Sequence, residues 1–141
     1  MPVRLATPAD APALLRLNEA FNGPGLGGAS HIARSLAENP QEIVCIAELD
    51  GEAVGFCCAQ IFSSVCYRSK TGEITELYVE PHARRKGLAT ALMRLAEQEL
   101  SARGARTLAL LTGDDNSGAR AFYESLGYEL DGEVHYAKDA E

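Results

Sequence analysis

The chain has 141 residues, 46% of them hydrophobic and 23% charged, with a net charge of −7. That length suits one domain, read here as 1–141, with a single sizeable core, and no run approaches the roughly 20 apolar residues of a membrane helix. The acidic balance excludes a nucleic-acid binder held by phosphate attraction and suits a small cationic substrate, although a need for solubility alone also accounts for an acidic surface.

The opening Met1-Pro2-Val3-Arg4-Leu5 lacks the apolar run and cleavage site of a secretory signal, which predicts a cytoplasmic protein. Val3 to Ala6 reads as a strand. Thr7-Pro8-Ala9-Asp10 then opens a helix, with threonine as cap, proline at the first helical position and a carboxylate near the positive end. Leu14, Leu17 and Phe21 carry its apolar face. The glycines from Gly23 to Gly28 break that helix and predict either a plain surface loop or a flexible lid on the substrate side. They lack a following Gly-Lys-Ser/Thr, which argues against a nucleoside-triphosphate loop and against nucleotide-binding domains of another α/β type. A second helix is expected from Ser30 to Glu38, stopped by Asn39-Pro40.

Ile43 to Leu49 and Ala53 to Ser63 are strand-like runs joined by Asp50-Gly51, a hairpin signal. Cys45, Cys57, Cys58 and Cys66 show no Cys-x-x-Cys spacing and read as reduced thiols. Glu73 to Val79 predicts another strand, ended by Glu80-Pro81. A helix from Gly87 to Ala102 follows, closed by Gly104. Thr107 to Thr112 reads as a buried strand, and Asn116 caps a helix to about Leu126 that Gly127 closes. Tyr128 to Leu130 and Val134 to Ala137 read as one or two final strands. This order predicts a mixed α/β sheet covered on both faces.

The stretch from Leu77 to Leu92 carries the chemistry: a strand, a basic turn, and a helix that starts with small residues. A helix start exposes unpaired N–H groups and about half a positive charge, so it suits a pyrophosphate. Gly87 and Ala89 let phosphate oxygens approach the backbone, and Arg84, Arg85 and Lys86 add charge-assisted contacts.

Arg84-x-x-Gly87-x-Ala89 after Leu77-x-Val79 resembles the pyrophosphate-binding signature of the GNAT N-acetyltransferase superfamily, with Ala89 in place of the commoner second glycine. Asn116 and the run Ala119-Arg120-Ala121-Phe122-Tyr123-Glu124-Ser125-Leu126-Gly127-Tyr128 are similar to the family's later helix motif, and Arg4-x-Ala6-Thr7-x-x-Asp10 to its amino-terminal segment. The resemblance spans nearly the whole chain. It implies a mostly antiparallel central sheet with a splayed pair of parallel strands and helices on both faces. It also implies acetyl-CoA as cosubstrate. The pantetheine arm would run along the backbone of Leu77, Tyr78 and Val79, and the pyrophosphate would lie on Arg84, Arg85, Lys86, Gly87, Leu88, Ala89 and Thr90. Asn116, Ala119 and Phe122 would lie near the cofactor.

The implied reaction is acetyl transfer to a primary amine of a small molecule or peptide by direct attack, with the oxyanion held by the Leu77 N–H. Tyr123 matches the family's general acid. Glu73 matches a catalytic carboxylate of several members and is favoured as base. Glu76 would face the other side of a regular strand, but a bulge would exchange the two roles. Core packing for Tyr123, solvated strand positions for the glutamates and a simple N-cap for Asn116 are the competing readings. A non-catalytic acyl-CoA-binding or regulatory module is the alternative for the whole chain. Asp114, Asp115, Glu38, Glu42 and the final acidic tail are candidates for attracting a polyamine, aminoglycoside or peptide amine, and a likeness to aminoglycoside 3-N-acetyltransferases is a weak pointer to substrate. His82 is either a member of the phosphate site or a surface residue; it and His135 make no metal-binding spacing, and no metal is expected. His135 and Tyr136 are either acceptor-pocket or surface residues, and the final strands suggest a homodimer.

Overall fold

A computed structural model describes residues 2–140, which divide into two compact units, one ending at Leu110 and the other beginning at Leu111. The first holds a sheet in the order β1-β2-β3-β4-β5: β1 Val3–Leu5, β2 Glu42–Leu49, β3 Glu52–Phe62, β4 Lys70–Val79 and β5 Ala105–Leu110. The first four pair antiparallel, and β4 pairs parallel with β5. This is the mostly antiparallel sheet with one parallel pair that the resemblance implies. The helices of this unit are α1 Ala11–Asn22, α2 Ala29–Glu38 and α3 Leu88–Ala102.

Strand register sorts side chains to two faces. The rows Ile43-Ala59-Ile74 and Cys45-Cys57-Leu77 look toward α3, where Leu92, Met93, Ala96 and Leu100 are fully buried. Gly72 of β4 lets that helix approach, since a Cβ there would sit 2.8 Å from Leu100 Cδ1. The rows Val44-Cys58-Glu76 and Ile46-Phe56-Tyr78 form the other face. Here Leu14 and Leu17 of α1 close a core with Ile46 and Phe56, joined at its edge by Ile32 and Leu36 of α2. Phe21 adds a ring stacked on Tyr78, with centroids 5.1 Å apart. Asp50 and Gly51 both have positive φ, 51° and 79°, so they make the tight β2–β3 turn that their pairing in sequence predicts.

The amino-terminal signal is resolved into two pieces. Pro8–Asp10 forms a 3-10 turn and α1 starts at Ala11. Asp10 accepts from the Thr7 N–H at 2.8 Å and from both terminal nitrogens of Arg4 at 2.8 Å, locking β1 to the helix start. Other boundaries shift by a few residues: β4 begins at Lys70, β5 spans Ala105–Leu110, and α3 begins at Leu88 because Gly87, at φ 79°, is left-handed.

The second unit contains α4, Ser117–Ser125, whose cap Asn116 accepts from the Ala119 N–H at 3.1 Å. No strand forms among its described residues, so the strands expected at 128–130 and 134–137 are absent. Apolar spacing marks a segment fit for a strand, but a strand exists only when a second backbone completes its ladder. Leu130, Val134 and Tyr136 are exposed.

Candidate active site

The ladder between β4 and β5 ends at Ile74 opposite Leu110. β4 runs on for five more residues, 75–79, still paired with β3 through Gly55 opposite Val79. Among the described residues, no strand therefore pairs with that edge of β4 beyond Ile74. The cause lies in the same strand: Ile74 faces Ala59 and Glu76 faces Cys58, so Thr75 is an extra residue in β4. Its hydroxyl donates to the Cys58 carbonyl at 3.2 Å. A bulge of this kind increases local twist and turns a strand away from its neighbour.

The freed edge leads into the loop before α3. Arg85 at φ 64° and Gly87 at φ 79° are left-handed, and such alternation turns successive N–H groups into one concavity suited to an anion. The first bond of α3 runs from the Ala91 N–H to the Gly87 carbonyl at 3.0 Å, so the Leu88, Ala89 and Thr90 amides lie ahead of any helical acceptor. Arg84 anchors the loop: its Nε donates to the Val79 carbonyl at 2.8 Å, and its guanidinium lies 5.9 Å from the Tyr78 ring centre. Arg85 and Lys86 are exposed. Arg16 of α1 bonds Glu80 at 2.6 Å and the Ala53 carbonyl at 2.7 Å, tying the end of β4 to the helix layer. The left-handed turn, the helix-start amides and the exposed Arg85 and Lys86 together could hold an anion.

On the face covered by α1 and α2 lies a cavity of about 200 Å³. Glu76 and Glu42 line it, with Asn18, His31 and Ser35 above and apolar walls that include Val44, Ile32 and Leu36. Asn22 donates to Glu76 at 2.8 Å and to Asn18 at 2.7 Å, which fixes the carboxylate. Burial raises the Glu42 carboxyl above its ordinary range, and the facing Glu76 adds to this; bonds with Gln60 and Ser35 and the nearby His31 oppose it.

The sequence profile of the Acetyltransferase (GNAT) family matches residues 14–128. The chain is 36% identical over 143 residues to an uncharacterized N-acetyltransferase, YhfO, of Bacillus subtilis (strain 168), covering 96% of this chain and 95% of that protein. The chain belongs to the GNAT acetyltransferase family. Among solved structures, the aminoglycoside acetyltransferase meta-AAC0020 from an uncultured soil metagenomic sample, in complex with sisomicin, superposes with a TM-score of 0.85 at 19% identity, over 99% of this chain and 95% of that one. AAC(6')-Iy, in complex with the bisubstrate analog CoA-S-monomethyl-acetylneamine, superposes with a TM-score of 0.84 at 22% identity, over 98% and 97%. At these identities the two structures show a shared fold.

Within this GNAT chain, the residues expected at the site fall into three groups. Leu77, Tyr78 and Val79 lie on the open stretch of β4, and residues 84–90 form the loop and the first turn of α3. Glu73 and Glu76 share one face, because the extra Thr75 restores the alternation that sequence counting puts out of step. Glu76 lines the cavity. Glu73, one row away, is half-buried opposite Gln60. In the second unit, Ala119, Phe122 and Tyr123 are half-buried on α4. Tyr123 packs its ring against Phe122 at 5.3 Å and Tyr128 at 6.1 Å between centroids. Asn116 acts as the N-cap.

His82 lies exposed beside Glu80, with Nδ1 3.4 Å from its carboxylate. His135 and Tyr136 are exposed, as are Glu38, Asp114 and Asp115. Among the described residues no group of three or more His, Cys, Asp or Glu side chains could hold a metal ion. Sequence reasoning missed Asn18, Asn22, His31 and Ser35. The usable signal was Asn18 and Asn22, spaced four apart and flanking Phe21 at the end of an otherwise apolar helix face.

Proposed function

We propose that this GNAT chain transfers an acetyl group from acetyl-CoA to a primary amine of a small molecule or peptide, by direct attack in a ternary complex. The observation that carries the reading is the open edge of β4 over residues 75–79, continuous with the amide-lined loop before α3. An extended amide-bearing arm completes the strand edge as a further strand would, while its pyrophosphate meets the helix amides and the basic rim. The thioester carbon at the end of that arm supplies the electrophile.

An alkylammonium of pKa about 10.4 must lose a proton before it attacks, at a cost of roughly 4 to 5 kcal/mol at neutral pH. Glu76 is assigned this proton, directly or through water, because it lines the cavity and is held by Asn22. Glu73, favoured from the sequence, is the second carboxylate of the same face. As nitrogen bonds to the acyl carbon, the Leu77 N–H donates to the oxyanion. When the C–S bond breaks, the leaving sulfur takes up a proton, a role for which the family resemblance alone names Tyr123. A cytoplasmic location agrees with use of acetyl-CoA, and no helix among the described residues is long and apolar enough to cross a membrane.

The test is calorimetry with CoA, followed by thiol release in the presence of acetyl-CoA and a panel of aminoglycosides, polyamines and peptides. Acceptor-dependent release of CoA thiol is expected. CoA binding without release for any amine would leave an acyl-CoA-binding module, and no CoA binding by the folded protein would remove the reading altogether.

A further inference from the structure

We propose that the cavity between α2 and the β2–β4 face selects acceptors with two ammonium groups on a linear aliphatic stem, with the reacting amine at Glu76 and the distal one at Glu42. The inference rests on the transferase reading above and names the substrate class of that site.

Three features carry it. The cavity holds about 200 Å³, room for one slender arm of a substrate and less than the several hundred Å³ of a typical drug-sized site. Its two carboxylates stand on strands separated by β3, Glu76 opposite Cys58 and Glu42 opposite Gln60. From strand spacing and rise, their Cα atoms are about 12 Å apart. Side chains stand roughly perpendicular to a sheet, so the carboxylates keep about that separation, and less a hydrogen bond of about 2.8 Å at each end the gap suits a chain of roughly four to five methylenes.

Besides the polar Asn18, His31 and Ser35, the lining offers apolar surface: Val44 and Cys58 from the sheet, Ile32 and Leu36 from α2. An aliphatic stem gains stability there by burying its methylenes against these side chains. A monoamine answers only one carboxylate and leaves Glu42 with its neutral hydrogen-bond partners Gln60 and Ser35 and no ammonium group. A bulky polyhydroxylated ring wastes the apolar walls. Burial and the facing Glu76 already work against the Glu42 charge, so a distal cation at that end relieves both.

The experiment compares 1,5-diaminopentane with pentylamine. Binding of each to the CoA-loaded protein is measured by calorimetry, and kcat/KM is measured by CoA-thiol release. The diamine is expected to bind, and to react, at least about tenfold better. In Glu42→Gln that ratio should fall toward one, the fold being checked by circular dichroism. Equal binding of the two amines by the unaltered protein overturns the proposal, and so does a ratio that survives in the variant. Absence of thiol release with every amine strikes the transferase reading instead, and the binding ratio then still decides what the cavity selects.

Discussion

At the scale of single residues, the proposed acid is the sharpest test of chemistry. Tyr123 carries two ring contacts that phenylalanine keeps, so Tyr123→Phe removes the phenolic proton and little packing. General acid catalysis typically contributes a factor of about 10² to 10⁴, and turnover should fall by about a hundredfold with CoA affinity kept within about twofold. Unchanged turnover on a proven acceptor would refute the role. Asp10 offers a separate test through stability. Hydrogen bonds from Arg4 chiefly, and from Thr7, hold its carboxyl below the ordinary range. A depressed folded pKa contributes stability above the unfolded value, and that contribution is lost as pH falls through the folded one. Asp10→Asn should therefore cost about 0.5 to 1 kcal/mol in urea unfolding at pH 7, with the difference from the unaltered protein shrinking below about pH 4.

Among the elements, β4 decides the site, because one strand supplies the bulge, the open edge and both glutamates. Deleting Thr75 leaves Glu73, Ile74, Glu76 and Leu77 opposite Gln60, Ala59, Cys58 and Cys57 in regular alternation, so no side chain changes face. What disappears is the local twist, and the β4–β5 ladder can then continue past Ile74. The deletion should keep the fold by circular dichroism and weaken CoA binding at least about tenfold by calorimetry. Tight binding in the shortened strand would detach the bulge from the cleft. Gly55 tests the other edge of β4. A Cβ there would lie 2.8 Å from the Tyr78 carbonyl oxygen and 3.1 Å from Val79 Cγ2, so Gly55→Ala must push backbone against backbone. It should cost about 1 to 3 kcal/mol, read as a lowered thermal midpoint.

For the whole molecule, a net charge of −7 sets a field that favours cationic acceptors over neutral ones. Screening shortens to about 10 Å at 0.1 M salt and about 3 Å at 1 M. The KM for a polycationic acceptor should rise several-fold between about 0.05 and 0.5 M sodium chloride, and more steeply for a diamine than for a monoamine of equal length. A salt-independent KM would confine the selection to contacts inside the cavity.

Legible in the sequence alone were the order of elements in the first unit, the cap at Asn116 and the tight turn at Asp50-Gly51. All of these depend on neighbours in the chain: hydrophobic period, turn residues, and glycine where the backbone must be left-handed. Only the tertiary structure decided which face Glu76 occupies, because a one-residue bulge is defined against the partner strand and Thr75 has no mark of its own in the sequence. Pairing across β2, β3 and β4 likewise brought Glu42 into one cavity with Glu76, 34 positions further along the chain. The same dependence explains the absent carboxy-terminal strands: alternating side chains at 128–137 specify a surface, and a ladder needs a second backbone that local sequence cannot supply.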